Sequence, residues 1–211
     1  MRFLQLVSML LLLGSCAPAV YKKLQRTEGN TACIAAFKPH IRRALYRTSV
    51  DVTGNHLSGL LLIKQMPDSS TRIVFTNEAG FSFFDFEFSH KNGFLVHSII
   101  PKMDKEAVRK TLRKDFELLL MEVADTATVS SVFQKGAERY NAFYAGDDVY
   151  YYVTDIPCAQ LIRMERGSRK RKVLEATRGT MKDGVPESMH IQHTNFNFTI
   201  DLKRIDDHAE E

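Results

Sequence analysis

Arg72-Ile73-Val74-Phe75-Thr76-Asn77-Glu78-Ala79-Gly80-Phe81-Ser82-Phe83-Phe84-Asp85-Phe86-Glu87-Phe88 is the stretch whose reading decides the fold. β-branched and aromatic residues fill both halves and a turn ending at Gly80 divides them, so the stretch reads as two strands of a hairpin. Alternation puts Phe84, Phe86 and Phe88 on one face, and Phe81, Phe83, Asp85 and Glu87 on the other. Working outward, residues 44–52 alternate and stop at Thr53-Gly54-Asn55; residues 57–64 stop at Pro67-Asp68-Ser69-Ser70; residues 94–100 follow the Asn92-Gly93 turn. Connections this short cannot make parallel crossovers, so the strands must run antiparallel.

A helical period appears once with clarity. Val108, Leu112, Phe116, Leu119, Leu120 and Val123 recur at three- and four-residue spacing behind a predicted N-cap at Asp104. Lys105, Arg109, Lys110, Arg113, Lys114 and Glu117 take the opposite side. The pattern predicts one amphipathic helix of about five turns, placed to cover one face of the sheet. After a polar stretch at 125–131, β-patterning returns at 140–144, 149–154, 161–165, 173–176, 189–193 and 196–205. The class is α+β, with about ten to eleven antiparallel strands. A chain of 211 residues, 44% hydrophobic and 26% charged, is suited to one core and is unlike a disordered chain.

The leader points to a compartment. Arg2 precedes an apolar run, residues 4–13, and Gly14-Ser15-Cys16 follows. That is the layout of a secretory signal peptide, and the run is shorter than the ~20 residues that cross a bilayer. Leu13-Gly14-Ser15-Cys16 resembles the bacterial lipobox, which implies cleavage before Cys16 and acylation of its thiol by chains such as palmitate. The expected division is a lipoprotein signal peptide at 1–15, a lipidated Cys and tether at 16–25, one β-domain at 26–206 and a charged tail at 207–211. No acidic cluster follows Cys16, which favours an outer-membrane lipoprotein facing the periplasm over one displayed on the cell exterior. Removing residues 1–15 takes away Arg2 and no acid, so the net charge falls from +4 to +3. So mild an excess, on an exported chain, argues against nucleic acid as a partner. Cys33 and Cys158 remain as an even pair in an oxidising compartment, either bridged or as two buried thiols.

Together, the lipobox, the meander that begins with Leu57-Ser58-Gly59-Leu60-Leu61-Leu62-Ile63, the covering helix and Pro186-x-x-Met189-x-Ile191 before an alternating last strand resemble the lipoprotein carrier LolA and the outer-membrane receptor LolB. Residues 72–78 and 80–88 also look like segments of lipoproteins from Bacteroidetes. The resemblance implies an antiparallel β half-barrel with an apolar concave side, lidded by helix, that takes acyl chains of lipoproteins in transit.

Several constellations carry two readings. Phe84, Phe86, Phe88, Leu112, Phe116 and Phe198 either line an acyl cavity or pack as core. Arg163, Arg166, Arg169, Lys170, Arg171 and Lys172 gather around an expected turn, where Arg169 to Lys172 either contact phosphate headgroups or form a solvated tip. His190 and His193 lie three apart on a strand and so on opposite faces, and no metal-ligand spacing is present. Asp85 and Glu87 share a face expected to be solvated. Catalytic signatures such as G-x-S-x-G and H-E-x-x-H are absent from the sequence, so no enzyme activity, metal or cofactor is expected. The expected function is non-catalytic binding of an acyl chain, lipid or lipidated partner at the envelope. The alternative is a structural or assembly subunit of an envelope complex, with a filled core.

Overall fold

The computed structural model describes residues 20–168 and 171–205. Cys16, the leader, Arg169, Lys170 and the 207–211 tail lie outside the described residues. The described residues open with a 3-10 turn, Val20–Lys23, and β1 (Gln25–Thr27), so part of the segment expected as a tether is ordered structure. A second 3-10 turn, Ala32–Phe37, leads into the first meander: β2 (Arg43–Val52), β3 (Asn55–Gln65), β4 (Thr71–Thr76), β5 (Ser82–Ser89) and β6 (Gly93–Ile99). Helices α1 (Glu106–Leu119) and α2 (Glu122–Thr126) follow. The second meander is β7 (Ser130–Lys135), β8 (Glu138–Ala145), β9 (Asp148–Asp155), β10 (Leu161–Gly167) and β11 (Lys172–Arg178). The chain closes with the short β12 (Met181–Lys182) and β13 (Val185–Pro186), then β14 (Ser188–His193) and β15 (Phe198–Ile205).

Thirteen strands form one open antiparallel sheet in the order β1-β7-β8-β9-β10-β11-β14-β15-β2-β3-β4-β5-β6, with β12 and β13 paired apart from it. β15 joins the two meanders by pairing with β14 on one side and β2 on the other, Ile200 lying opposite both Ile191 and Val50. The helices connect β6 at one edge to β7, one strand in from the other, and so cross the sheet's inner face. There Leu112, Phe116 and Leu119 join Tyr46, Leu61, Phe84, Tyr152 and Ile191 in the main core. Burying a side chain such as Phe116, 1% exposed, contributes about 1.5–3 kcal/mol. The outer face of the second meander carries a second cluster, in which Tyr21 packs with Tyr140, Ala142, Val149, Tyr151 and Val153. β8 and β9 are therefore covered on both sides.

Three expectations need correction. The single five-turn helix is a 14-residue helix and a 5-residue one. Met121 divides them: it is fully buried and its backbone is left-handed, at φ 58°. Neither Gly nor Pro marks this break, because burial of the Met121 side chain, not a local signal, ends α1. Asp104 is not the N-cap either; Lys105 occupies that position, and Asp104 accepts a 2.8 Å bond from Arg109 Nη1. The sheet is also wider than expected. β1 and β7 are too polar to show a strand pattern, and backbone pairing of Gln25 with Gln134 and Thr27 with Val132 recruits them.

Gly59 marks a close approach of β3 to the end of β4. A Cβ there would stand 1.9 Å from the Thr76 carbonyl oxygen. Gly59→Ala must push the two strands apart, and it should cost about 1–3 kcal/mol, read as a lower midpoint in thermal or urea unfolding. An unchanged midpoint would mean that the approach is looser than described.

On the outer face, Arg163 donates to Glu165 (2.7 Å from Nε), and from Nη2 to Glu138 (2.8 Å) and the Tyr140 hydroxyl (2.7 Å). The bond from Arg163, aided by Tyr140, holds the Glu138 carboxyl below its ordinary range. A lowered carboxylate stabilises the fold above its unfolded pKa, and that stability is lost as pH falls through the native value. Glu138→Gln should therefore lower the melting temperature at neutral pH, with the deficit shrinking steadily in melts taken below the model-compound value of 4.5. A deficit independent of pH would show that the charge is not what Glu138 contributes.

Candidate functional site

Phe84, Phe86 and Phe88 share one face of β5, but they do not share one environment. Phe84 and Phe86 stack at 4.4 Å between centroids and are 3% and 0% exposed. Phe116 closes on Phe84 at 6.0 Å, while Leu112 and Phe198 are buried in the same cluster. All five side chains are buried in the main core. Phe88 stands at the strand's end, 5.2 Å from Phe94 of β6, and only there does the aromatic row reach an opening.

The opening is a cleft of about 660 Å³ between the approach to β2, the neighbouring ends of β3–β6, and the C-terminal half of α1 with α2. Apolar walls come from Pro39, Ile41, Phe88, Phe94, Leu120 and Val123. Its rim is polar. Lys38 is tied to Asp125 and, at 3.5 Å, to Glu122. Arg113 lies 5.5 Å over the Phe94 ring and donates to Glu117 at 2.7 Å. Glu117 in turn accepts from the Tyr150 hydroxyl at 3.2 Å, and burial, with Glu117's charge beside it, pushes that hydroxyl's pKa far upward. His40, Arg42 and His90 complete the rim and are exposed. The volume lies within the ~300–1,000 Å³ typical of small-molecule sites. The lining is polar and apolar in about equal measure, an arrangement suited to a molecule that is itself amphipathic.

No protein-family model matches the sequence, and no curated protein does. Two solved structures are similar in chain path. One is a DUF1329 family protein from Desulfovibrio piger, with 9% identity, a TM-score of 0.44 and cover of 78% of this chain and 84% of that one. The other is a domain from Vibrio parahaemolyticus described as an outer membrane lipoprotein-sorting protein, with 6% identity, a TM-score of 0.44 and cover of 82% and 87%.

The basic run separates into two kinds of residue. Arg163 and Arg166 are strand residues: Arg163 is bound to acids of the outer face, and Arg166, 5% exposed, reaches the inner one. Lys172 pairs with Glu175 at 2.6 Å, and Arg171 is exposed. The six cations are thus not one solvated tip. Strand register explains the difference, since residues 161–167 continue β10 almost to the turn. Cys33 and Cys158 form a disulfide with Cα atoms 6.3 Å apart, joining the Ala32–Phe37 turn to the β9–β10 connection. Asp85 is half-buried, and Arg72 clamps it through two bonds of 2.8 and 2.7 Å. His190 pairs with Asp201 at 2.7 Å on the exposed face, while His193 is 3% exposed.

One cluster was not anticipated. Asp115 of α1, fully buried, accepts from Arg166 Nη2 at 3.2 Å and meets His193 Nε2 at 2.8 Å. It ties the helix to β10 and β14 across the core. The signal was present: Asp115 lies three residues after Leu112 and four before Leu119, within the apolar stripe, and His193 continues the alternation of Met189 and Ile191. The cleft residues Ile41, Phe94 and Arg113 could not be found that way, because three separate elements bring them together. Among the described residues no helix is long and apolar enough to cross a membrane, and no three His, Cys, Asp or Glu side chains converge as a metal site.

Proposed function

We propose that this chain is an envelope lipoprotein, anchored through Cys16 in the outer membrane, that binds an amphipathic lipid or the acyl chain of a lipidated partner. One observation carries the binding reading: the cleft of about 660 Å³ at the helix end, with Phe88, Phe94, Leu120 and Val123 as walls and Arg42, His40 and Arg113 at the rim. The tail enters along the aromatic row and stops against the stacked pair Phe84 and Phe86, whose rings are buried in the core. An acidic head stays at the rim beside the cations. The role is binding and needs no cofactor.

The test is saturable binding of a fluorescent fatty acid to the purified protein, together with mass spectrometry of any lipid that co-purifies. Phe94→Gln should weaken that binding several-fold while leaving the circular dichroism spectrum unchanged, since Phe94 is only partly buried. Absence of both saturable binding and co-purified lipid would overturn the reading. That result would favour an assembly subunit, which the exposed apolar residues Phe81 and Val129, 58% and 57% accessible, also suit.

A further inference from the structure

Residues 20–27, close after the proposed anchor, are held against the sheet. Tyr21 is 6% exposed, its ring lies 4.5 Å from Tyr151, and its hydroxyl donates a 2.9 Å bond to Glu165, which is itself 1% exposed. Four residues on, the chain joins the sheet as β1, pairing Gln25 with Gln134. We propose that the outer face of β7–β10 around Tyr21 is the face this protein turns toward the bilayer; the inference rests on the acylation of Cys16 assigned above.

Chain length supplies the first argument. From Cys16 to Val20 is four residues, which reach at most ~14 Å when fully extended. One leaflet's headgroup layer is about 5–8 Å deep. An acylated Cys16 at the hydrocarbon boundary therefore leaves Val20 within the headgroups or just outside them. The docked Tyr21 then removes the freedom that a flexible tether would give, because the chain can leave the fold in only one place. Domain orientation follows from the two constraints together.

Charge supplies the second argument. Lys22, Lys23 and Arg26 are exposed beside the anchor, against a single acid, Glu28, in residues 20–31. Lys135, exposed at the end of β7, adjoins the Gln134 that pairs with β1. Cations held near a leaflet are drawn to anionic lipid. The occupant of this face is the bilayer that carries the anchor. Its consequence is that the inner face with α1, and the cleft, point away from the membrane that holds the protein.

The test uses the full lipidated chain in vesicles of phosphatidylethanolamine and phosphatidylglycerol that contain a headgroup-nitroxide lipid. A fluorescent amino acid replaces Ala137, exposed in the β7–β8 turn, or in a separate sample Lys203, exposed on β15. Those strands lie six spacings apart in the sheet, ~29 Å along its curve. At least threefold stronger quenching at 137 than at 203 is expected. Equal quenching, or stronger quenching at 203, on protein whose Cys16 carries diacylglycerol by mass spectrometry would overturn the orientation alone. Protein without lipid on Cys16 would overturn the anchor reading, and this inference with it.

Discussion

Replacing Cys33 and Cys158 together with serine should lower stability by about 3–5 kcal/mol, the effect expected when a bridge closing a loop of more than ~100 residues is lost. The pair is 125 residues apart, so the oxidised unfolded chain is denied a large set of conformations that the reduced one regains. For a chain of this size the melting temperature should fall by about 10 °C. Reduction of the wild type should reproduce the shift, which separates loss of the bond from any effect of serine at partly buried positions. The consequence is also local. The bridge fastens the Ala32–Phe37 turn, whose Ile34 is 1% exposed, to the β9–β10 connection, and the chain runs on from that turn into Lys38, Pro39 and Ile41 on the cleft wall. Hydrogen exchange in residues 32–42 should rise more than in β14 or β15. A midpoint within about 2 °C of wild type, roughly 1 kcal/mol or less, would show that packing alone holds the turn.

The two meanders were legible because their strands are locally coded. In residues 44–52, 57–64 and 72–88, β-branched and aromatic residues alternate between turns such as Thr53-Gly54, whose residues both take positive φ. Where local coding and tertiary demand diverge, the sequence is silent. β1 offers only Gln25, Arg26 and Thr27 and pairs because β7 presents an edge. Helix α1 stops at Met121 because that side chain has a place in the core. The stripe 108–123 could not reveal this, since a continuing helix would have kept the same period. Phe84 and Phe88 are indistinguishable by pattern, yet one is locked in a stack and the other opens onto solvent. What separates them is how far α1 extends over the strand, a property of the assembled fold. The cleft was out of reach for the same reason: its walls come from the approach to β2, the start of β6 and the ends of both helices.

Asp115→Ala should be the most damaging single substitution in the helix, at about 3–5 kcal/mol, because it takes the nearest carboxylate from the buried Arg166 guanidinium and the hydrogen-bond partner from the buried His193 Nε2. Asp115 is the acid that touches both Arg166 and His193, at 3.2 and 2.8 Å, and all three are 5% exposed or less. Arg166 retains Asp148 at 3.6 Å, a weaker contact shared with Lys114. Arg166 Nε and His193 Nδ1 make no hydrogen bond among the described residues, so neither side chain has a second strong hydrogen-bond partner in reserve. Replacing the three together, as Asp115→Leu, Arg166→Met and His193→Leu, should cost less than Asp115→Ala alone, since well-packed apolar groups of similar volume remove the desolvation penalty along with the attraction. Urea unfolding of both variants reads the comparison directly. If the single change costs under about 1 kcal/mol, or the triple change costs more than the single, the cluster is not an ion network held by Asp115. The expected order would instead identify what the network supplies: not net stability but a fixed placement of α1 over β10 and β14. That placement decides where the helix ends above the sheet, and hence that the cleft opens at Phe88 and not deeper in the core.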